Sequence, residues 1–210
     1  MSKGRLITFE GSEGAGKSTQ VKALKKYLVS LGYKVVCTFE PGGGSDLCKK
    51  IRSLLLSPDS GDFSDETELF MMLAARAEHV ESLVLPSLSR GEIVICDRFI
   101  DSSVAYQGYG RGIDIKTISQ MNAFAIKGRY PDLTVVMDID PVIGLKRAAK
   151  TGSLDRIESA ALSFHQNVRE GFMSLAQEGE RYFVVDASLD IQTLESEIKE
   201  RVLKLLKYEN

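Results

Sequence analysis

The sequence predicts an α/β protein of three layers, a five-stranded parallel sheet held between helices. Three observations predict it. Five short runs rich in β-branched and apolar residues alternate with stretches of helical periodicity over 210 residues, and that alternation belongs to parallel sheets covered on both faces. The first run is followed at once by a glycine-rich turn and then a helix. Hydrophobic residues make up 43% of the chain, enough to bury both faces of one sheet, so residues 1–210 read as a single domain. The crossovers are then right-handed.

The first run is Arg5-Leu6-Ile7-Thr8-Phe9-Glu10, a short buried strand. Gly11-Ser12-Glu13-Gly14-Ala15-Gly16-Lys17-Ser18 follows and fits G-x-x-x-x-G-K-[ST], the phosphate-binding loop. Val21, Leu24, Leu28 and Leu31 then recur at helical spacing. Glycines at 11, 14 and 16 let backbone N–H groups turn inward around phosphate oxygens. The helix after them points its positive end at the same anion. Lys17 reaches the terminal phosphates and Ser18 offers its hydroxyl to Mg²⁺. The fold is therefore of the P-loop NTPase type.

The second strand, Lys34 to Phe39, ends in Glu40-Pro41-Gly42-Gly43-Gly44, which is either a plain surface loop or a ligand loop at the sheet's C-terminal edge. A helix runs from Ser45 to Leu56 and stops near Pro58 and Gly61. Ser64, followed by acids, starts a long helix to about Ser89 with a buried stripe of Leu69, Leu73, Ala77, Val80 and Val84. Pro86 kinks it near its end. Met72, Arg76 and His79 share an adjoining face, where Arg76 is solvated or paired unless that face lines a cleft. The third strand, Glu92 to Cys96, ends in Asp97-Arg98. The carboxylate either holds Mg²⁺ or closes a salt bridge at the strand end, and Arg98 meets a phosphate. Asp101 to Gln107 reads as a polar, aromatic turn, Gly108 to Gly112 as a flexible loop, and Ile115 to Lys127 as a helix. The fourth strand is Asp132 to Asp138; Asp138 and Asp140 finish it and cap the helix opened by Pro141. Residues 147–158 are polar and basic, a short lid or a helix-to-helix connection. Leu162 to Leu175 is helical, Arg181 to Asp186 is the fifth strand, and Ile191, Leu194, Ile198, Val202 and Leu205 stripe a final helix.

A net charge of −2 offers no basic groove for nucleic acid. No run approaches membrane-spanning length and no apolar leader opens the sequence. Cys37, Cys48 and Cys96 lack metal-ligand spacing and read as core thiols of a cytoplasmic protein, and His79 and His165 stand alone.

Taken in order, Phe9-Glu10-Gly11, Glu40-Pro41-Gly42-Gly43, Ala74-Ala75-Arg76-Ala77-Glu78-His79, Asp97-Arg98-Phe99, Ser102-Ser103 with Ala105-Tyr106-Gln107, and Leu154-Asp155-Arg156-Ile157-Glu158 resemble the thymidylate kinases over essentially the whole chain. The resemblance implies transfer of the ATP γ-phosphate to dTMP with Mg²⁺, a homodimer, and strand order 2-3-1-4-5. It implies that Gly11, Ser12, Glu13, Gly14, Ala15, Gly16, Lys17, Ser18 and Thr19 hold ATP. Arg98 would bind the acceptor phosphate, Arg76 the thymine, and Ser103 and Gln107 the base edge, with Tyr106 under the deoxyribose. Pro41 joins the dTMP pocket, and Glu10 and Asp97 would lie near the metal or the sugar 3′-hydroxyl, with Ser18 and Asp97 as metal ligands.

The chain departs from the family pattern at three places. Phe39 stands where an Arg commonly precedes Glu-Pro-Gly-Gly, so one cation near the acceptor phosphate is missing or comes from elsewhere. Met72 stands where a Phe stacks on the base. Lys150 is the one base in a stretch of the lid that usually carries arginines, and with no base at residues 12–15, Arg156 and Lys150 share the crossing cation, Arg156 carrying more. A kinase for another nucleotide and a nucleotide-dependent switch are the competing readings; a panel of monophosphates separates the first and dTMP binding the second. Lys17→Ala should cut kcat by roughly 10²-fold or more; a folded variant with near-normal turnover would remove Lys17 from the reaction.

Overall fold

The structure, a computed structural model, describes residues 4–150 and 155–207. A five-stranded sheet has the order β2-β3-β1-β4-β5, with β1 Arg5–Glu10, β2 Val35–Phe39, β3 Ile93–Asp97, β4 Leu133–Asp138 and β5 Tyr182–Asp186. Every pairing is parallel. The expected strand order is the one found.

Alternation along β1 feeds two cores. Ile7 and Phe9 point to one face with Ile95, Val135 and Met137, under α1 (Lys17–Ser30) and α9 (Ile191–Lys207), which contribute Leu24, Leu28, Ile198 and Val202. Leu6 points to the other with Val94, Cys96, Val80 and Val84. A third cluster joins Val136 to Tyr106, Phe164, Val168 and Phe172, the last three on α8 (Leu162–Leu175). The near-continuous apolar β3 and β4 are buried on both faces, as central parallel strands are. Leu31 and Ile191, both expected in buried stripes, are exposed because each lies at a helix end beyond the sheet.

The long helix begins at Ser64, whose hydroxyl accepts from Thr67 N–H, as expected. It does not run unbroken. α3 (Asp65–His79) passes into a wider π turn, Val80–Val84, and then α4 (Leu85–Ser89). Leu85 N–H reaches back to Val80 O, and Pro86 follows with no N–H to give. Ala77 of the expected stripe is exposed, whereas Ala75, Arg76 and His79 are buried. Leu69, Val80 and Val84 of the expected stripe are buried as well, so the inward face is wider than the stripe, and Glu40 receives Arg76 and His79 there.

Residues 100–110 also depart from expectation. They form α5 (Ile100–Ser103) and a π-helical stretch, Val104–Gly110, in place of a turn and a flexible loop. Gly110 serves packing: a Cβ there would lie 2.5 Å from the Phe164 ring. A similar close approach binds the phosphate loop to α7 (Pro141–Ala148), where a Cβ on Gly144 would come 2.3 Å from Glu13 O. α2 spans Asp46–Leu56 and α6 Ile115–Ala125. Asp140 accepts from the N–H groups of Val142 and Ile143, so it caps α7, and Asp138 pairs with Arg169. The three cysteines are free thiols. Of the expected lid, Thr151, Gly152, Ser153 and Leu154 lie outside the described residues; the remainder holds the end of α7 and a turn from Asp155 into α8. Among the described residues no helix is long and apolar enough to cross a membrane.

Candidate active site

β1 lies between β3 and β4, so the chain leaves the sheet in opposite directions around it, and a crevice opens at the C-terminal edge. A cleft of about 540 Å³ occupies it, lined by the phosphate loop, the loop after β2, the end of β3, α3, α5 and the turn at Asp155.

At one end stands the phosphate loop. Gly11, Gly14 and Gly16 all have positive φ, which turns backbone N–H groups toward one centre. α1 begins there without a side-chain cap or an acid in its first turn, so its positive end is left for an anion. The Lys17 ammonium donates to Gly11 O at 2.9 Å and Ser12 O at 2.8 Å. Burial, then the neighbouring Arg98, brings its pKa down to about 8. Ser18 Oγ donates to Asp97 Oδ2 at 2.6 Å. A hydroxyl and a carboxylate side by side are hard oxygen donors that suit Mg²⁺, an ion that takes one or two protein oxygens and fills its octahedron with phosphate and water.

Arg98 sits in the middle, in a positive-φ conformation, with its own N–H donating to Phe9 O. Its guanidinium donates to Gly11 O at 3.0 Å and Glu13 Oε1 at 3.1 Å and lies 5.0 Å from the Tyr106 ring centre. Tyr106 donates its hydroxyl to the same Glu13 oxygen, and its ring meets Phe164 and Phe172 edge-on. Burial works against charge on Glu13, but His165, Arg98, Lys17 and Tyr106 outweigh it and hold the carboxyl well below its ordinary 4.5.

At the other end Arg76 uses four of its five N–H donors within the protein: Nε to Glu40 Oε2 at 2.7 Å, Nη1 to Ser103 Oγ at 2.8 Å and Asn122 Oδ1 at 2.6 Å, and Nη2 to Phe99 O at 2.9 Å. Glu40 holds His79 Nδ1 at 2.8 Å with its second oxygen. Burial opposes its charge, yet Arg76 and His79 keep its pKa lowered. Pro41, Met72, Ser103, Tyr106 and Gln107 line the cleft beside Arg76.

Several expected residues are placed elsewhere. Glu10 does not line the cleft; it lies fully buried behind Arg98, taking the Phe99 N–H at 2.8 Å and the Ser102 hydroxyl at 2.6 Å. Burial, then Asp101, pushes its pKa up to about 7. Glu13, Gly14, Lys17 and Ser18 line the cleft, and Gly11, Ser12, Ala15, Gly16 and Thr19 complete the phosphate loop and the start of α1. Arg156 turns from the phosphate end: Nε donates to Leu55 O at 3.0 Å, Nη2 pairs with Glu68, and the guanidinium covers the Phe63 ring. Lys150 is exposed and Arg147 donates to Ala187 O.

The cleft's third arginine was missed. Arg52, on α2, lies 5.3 Å from the Phe39 ring centre, donates to Pro41 O at 2.7 Å and lines the cleft. In sequence it is one more base on an amphipathic helix. Phe39 is the platform that holds it, and that pairing across thirteen residues gives no local signal.

Four glutamates set an acid and a neutral limit to stability. Glu13, Glu40 and Glu68 have lowered pKa values, so their contribution is present above 4.5 and lost as pH falls below it. Glu10 is raised to about 7, so its contribution is present below 4.5 and lost as pH rises through about 7. Urea midpoints should therefore peak at pH ~5 and decline from there to about 7, and Glu10→Gln should flatten that decline. An unchanged decline in that variant would assign it to another group.

Comparison with known proteins agrees with this geometry. The family model described as thymidylate kinase matches residues 9–198. The thymidylate kinase of Maridesulfovibrio salexigens is 45% identical over 210 residues, covering 96% of each chain. That of Carboxydothermus hydrogenoformans is 46% identical over 197 residues, covering 94% of this chain and 96% of the relative. The crystal structure of thymidylate kinase from Ehrlichia chaffeensis superposes with a TM-score of 0.77 at 36% identity, covering 95% of this chain and 98% of that one. A phosphate loop facing an arginine-lined pocket, on a chain matched nearly end to end, places this protein in the thymidylate kinase family.

Proposed function

We infer that the protein transfers the γ-phosphoryl group of ATP to dTMP, giving ADP and dTDP, as a cytoplasmic step of dTTP synthesis. The observation that carries this reading is the two-ended cleft: a phosphate loop at one end, donor and acceptor groups for a base at the other, and Arg98 between them. Phosphoryl transfer asks a protein mainly to hold two anions in line and neutralise their charge. Residues 11–19 cradle ATP, and Lys17 leaves its two carbonyl partners for the terminal phosphates. Ser18 and Asp97 would hold Mg²⁺, which neutralises charge on the donor phosphates when bound. Arg98 and Arg52 take the acceptor phosphate, Arg52 supplying the cation that Phe39 does not.

At the base end Arg76 donates to a ring carbonyl and Gln107 meets the neighbouring ring nitrogen, with Ser103 at the edge. Met72 and Pro41 pack on the ring, and Tyr106 lies where a 2′-hydroxyl would enter. Lys150 and Arg156 remain the lid cations; Arg156 must leave Glu68 to act on the phosphates, so Lys150 is the freer of the two. Exposed Leu47, Leu54, Phe70 and Phe124 on α2, α3 and α6, helices that pack side by side, support a homodimer, which light scattering would test by mass.

Coupled ADP release with dTMP against dUMP, dCMP and dGMP tests the whole reading; equal rates, or none with dTMP, would overturn it. Arg52→Ala should raise KM for dTMP by about tenfold with a smaller change in kcat, the loss of one charge-assisted contact. Arg156→Ala should lower kcat with little change in KM if the contact forms on closure; the opposite split would make Arg156 an anchor of the lid.

A further inference from the structure

Glu68 is a buried carboxylate on α3, and the phosphoryl transfer described above gives it no task. Its side chain is 2% exposed. Three donors converge on it. Gln107 Nε2 reaches Oε1 at 2.8 Å, Arg111 Nη2 reaches Oε2 at 3.3 Å, and Arg156 Nη2 shares Oε2. Burial opposes its charge, but Arg156, Gln107 and Arg111 keep its pKa below the ordinary value. Glu68 is therefore ionised near neutrality, and an ionised carboxylate only accepts hydrogen bonds.

That has a consequence for Gln107. Its amide has a donating end and an accepting end, and rotation by half a turn exchanges them. With Glu68 beside it, only the NH₂ end can face α3. The carbonyl oxygen must then be the other end, and among the described residues it takes no hydrogen bond. Gln107 lines the cleft together with Arg76 and Ser103. Arg76 is donor-only, and its carboxylate, hydroxyl and carbonyl partners leave one N–H to spare.

We propose that Glu68 is a specificity-determining positioning residue: by fixing the Gln107 amide it makes the cleft present a carbonyl acceptor beside the Arg76 donor. This rests on the reading of the cleft as a thymidylate site. The pair accepts a pyrimidine whose ring carbonyl adjoins an N3–H. It rejects one whose N3 is an acceptor, because two acceptors would then face each other out of water. Arg111 and Arg156 contribute by keeping Glu68 charged, since a protonated carboxyl could donate and let the amide turn. The lid root and the base pocket thus share one carboxylate.

The experiment compares kcat/KM for dTMP and for 5-methyl-dCMP, which keeps the methyl group and the shape of dTMP but carries N3 as an acceptor and a 4-amino group. Glu68→Gln is isosteric and uncharged, and its amide can pair with either end of Gln107. The dTMP to 5-methyl-dCMP ratio should fall by about tenfold or more, the discrimination of one hydrogen bond. Glu68→Asp keeps the charge and should keep most of the ratio even if both rates drop. Gln107→Leu removes both ends of the amide and should collapse the ratio whatever becomes of the Glu68 variants. A folded Glu68→Gln with the parent ratio would show that Glu68 only anchors structure, as would equal losses in the Asp and Gln variants. A parent ratio in Gln107→Leu would show that the amide does not read the base. Absence of dTMP turnover in the parent protein would overturn the thymidylate reading itself.

Discussion

The Arg98–Glu13 contact ties the end of β3 to the phosphate loop, and the cleft takes its shape from it. Arg98 also grips Gly11 O, so both ends of the loop's first turn are fastened to one guanidinium. Tyr106 closes the same carboxylate from the other side. A phosphate loop left to its glycines would have many conformations; here a cation, a carboxylate and a phenol leave it one. The cost is burial of charge, which is tolerable because each charged group meets an opposite one with good geometry.

The same device recurs in the cleft and beside it. Glu40 holds Arg76, and Glu68 holds Arg111 and Arg156. Buried pairs of this kind contribute little net stability compared with apolar packing, but removing one partner strands the other. Their use is to fix direction. Within the cleft, Arg76 and Arg98 are each spread over several acceptors before a ligand arrives, so little reorganisation remains when one enters. Carboxylate partners for Arg76 and Arg98 and carbonyl partners for Lys17 and Arg52 help these four cations share a site of about 540 Å³.

Much of this was legible in the residues. The strand–glycine–helix arrangement at β1 and α1 and the acid–base pair ending β3 follow from local pattern, because strand and helix periods are written in neighbouring residues. So do the helix starts at Ser64 and Asp140, since a capping side chain bonds N–H groups two or three positions away. Where reading failed, packing had overruled local preference. Gly108 and Gly110 looked flexible and are helical, Gly108 held against Ile115 and Ile118 of α6 and Gly110 against Phe164 of α8. His79 and Arg76 looked like a polar flank and are core, because Glu40 receives them.

The sequence by itself determined the fold class, the phosphate loop and the family, since each rests on short-range spacing and on the order of motifs along the chain. The tertiary structure alone decided which side chains meet across the cleft. It put Arg52 over Phe39, drew Glu10 behind the wall, and turned Arg156 toward Glu68. Those outcomes depend on distances between residues 13 to 89 positions apart in sequence and on which charges can be buried together. A buried charge is placed by its partner, and the partner is named only when the chain has folded.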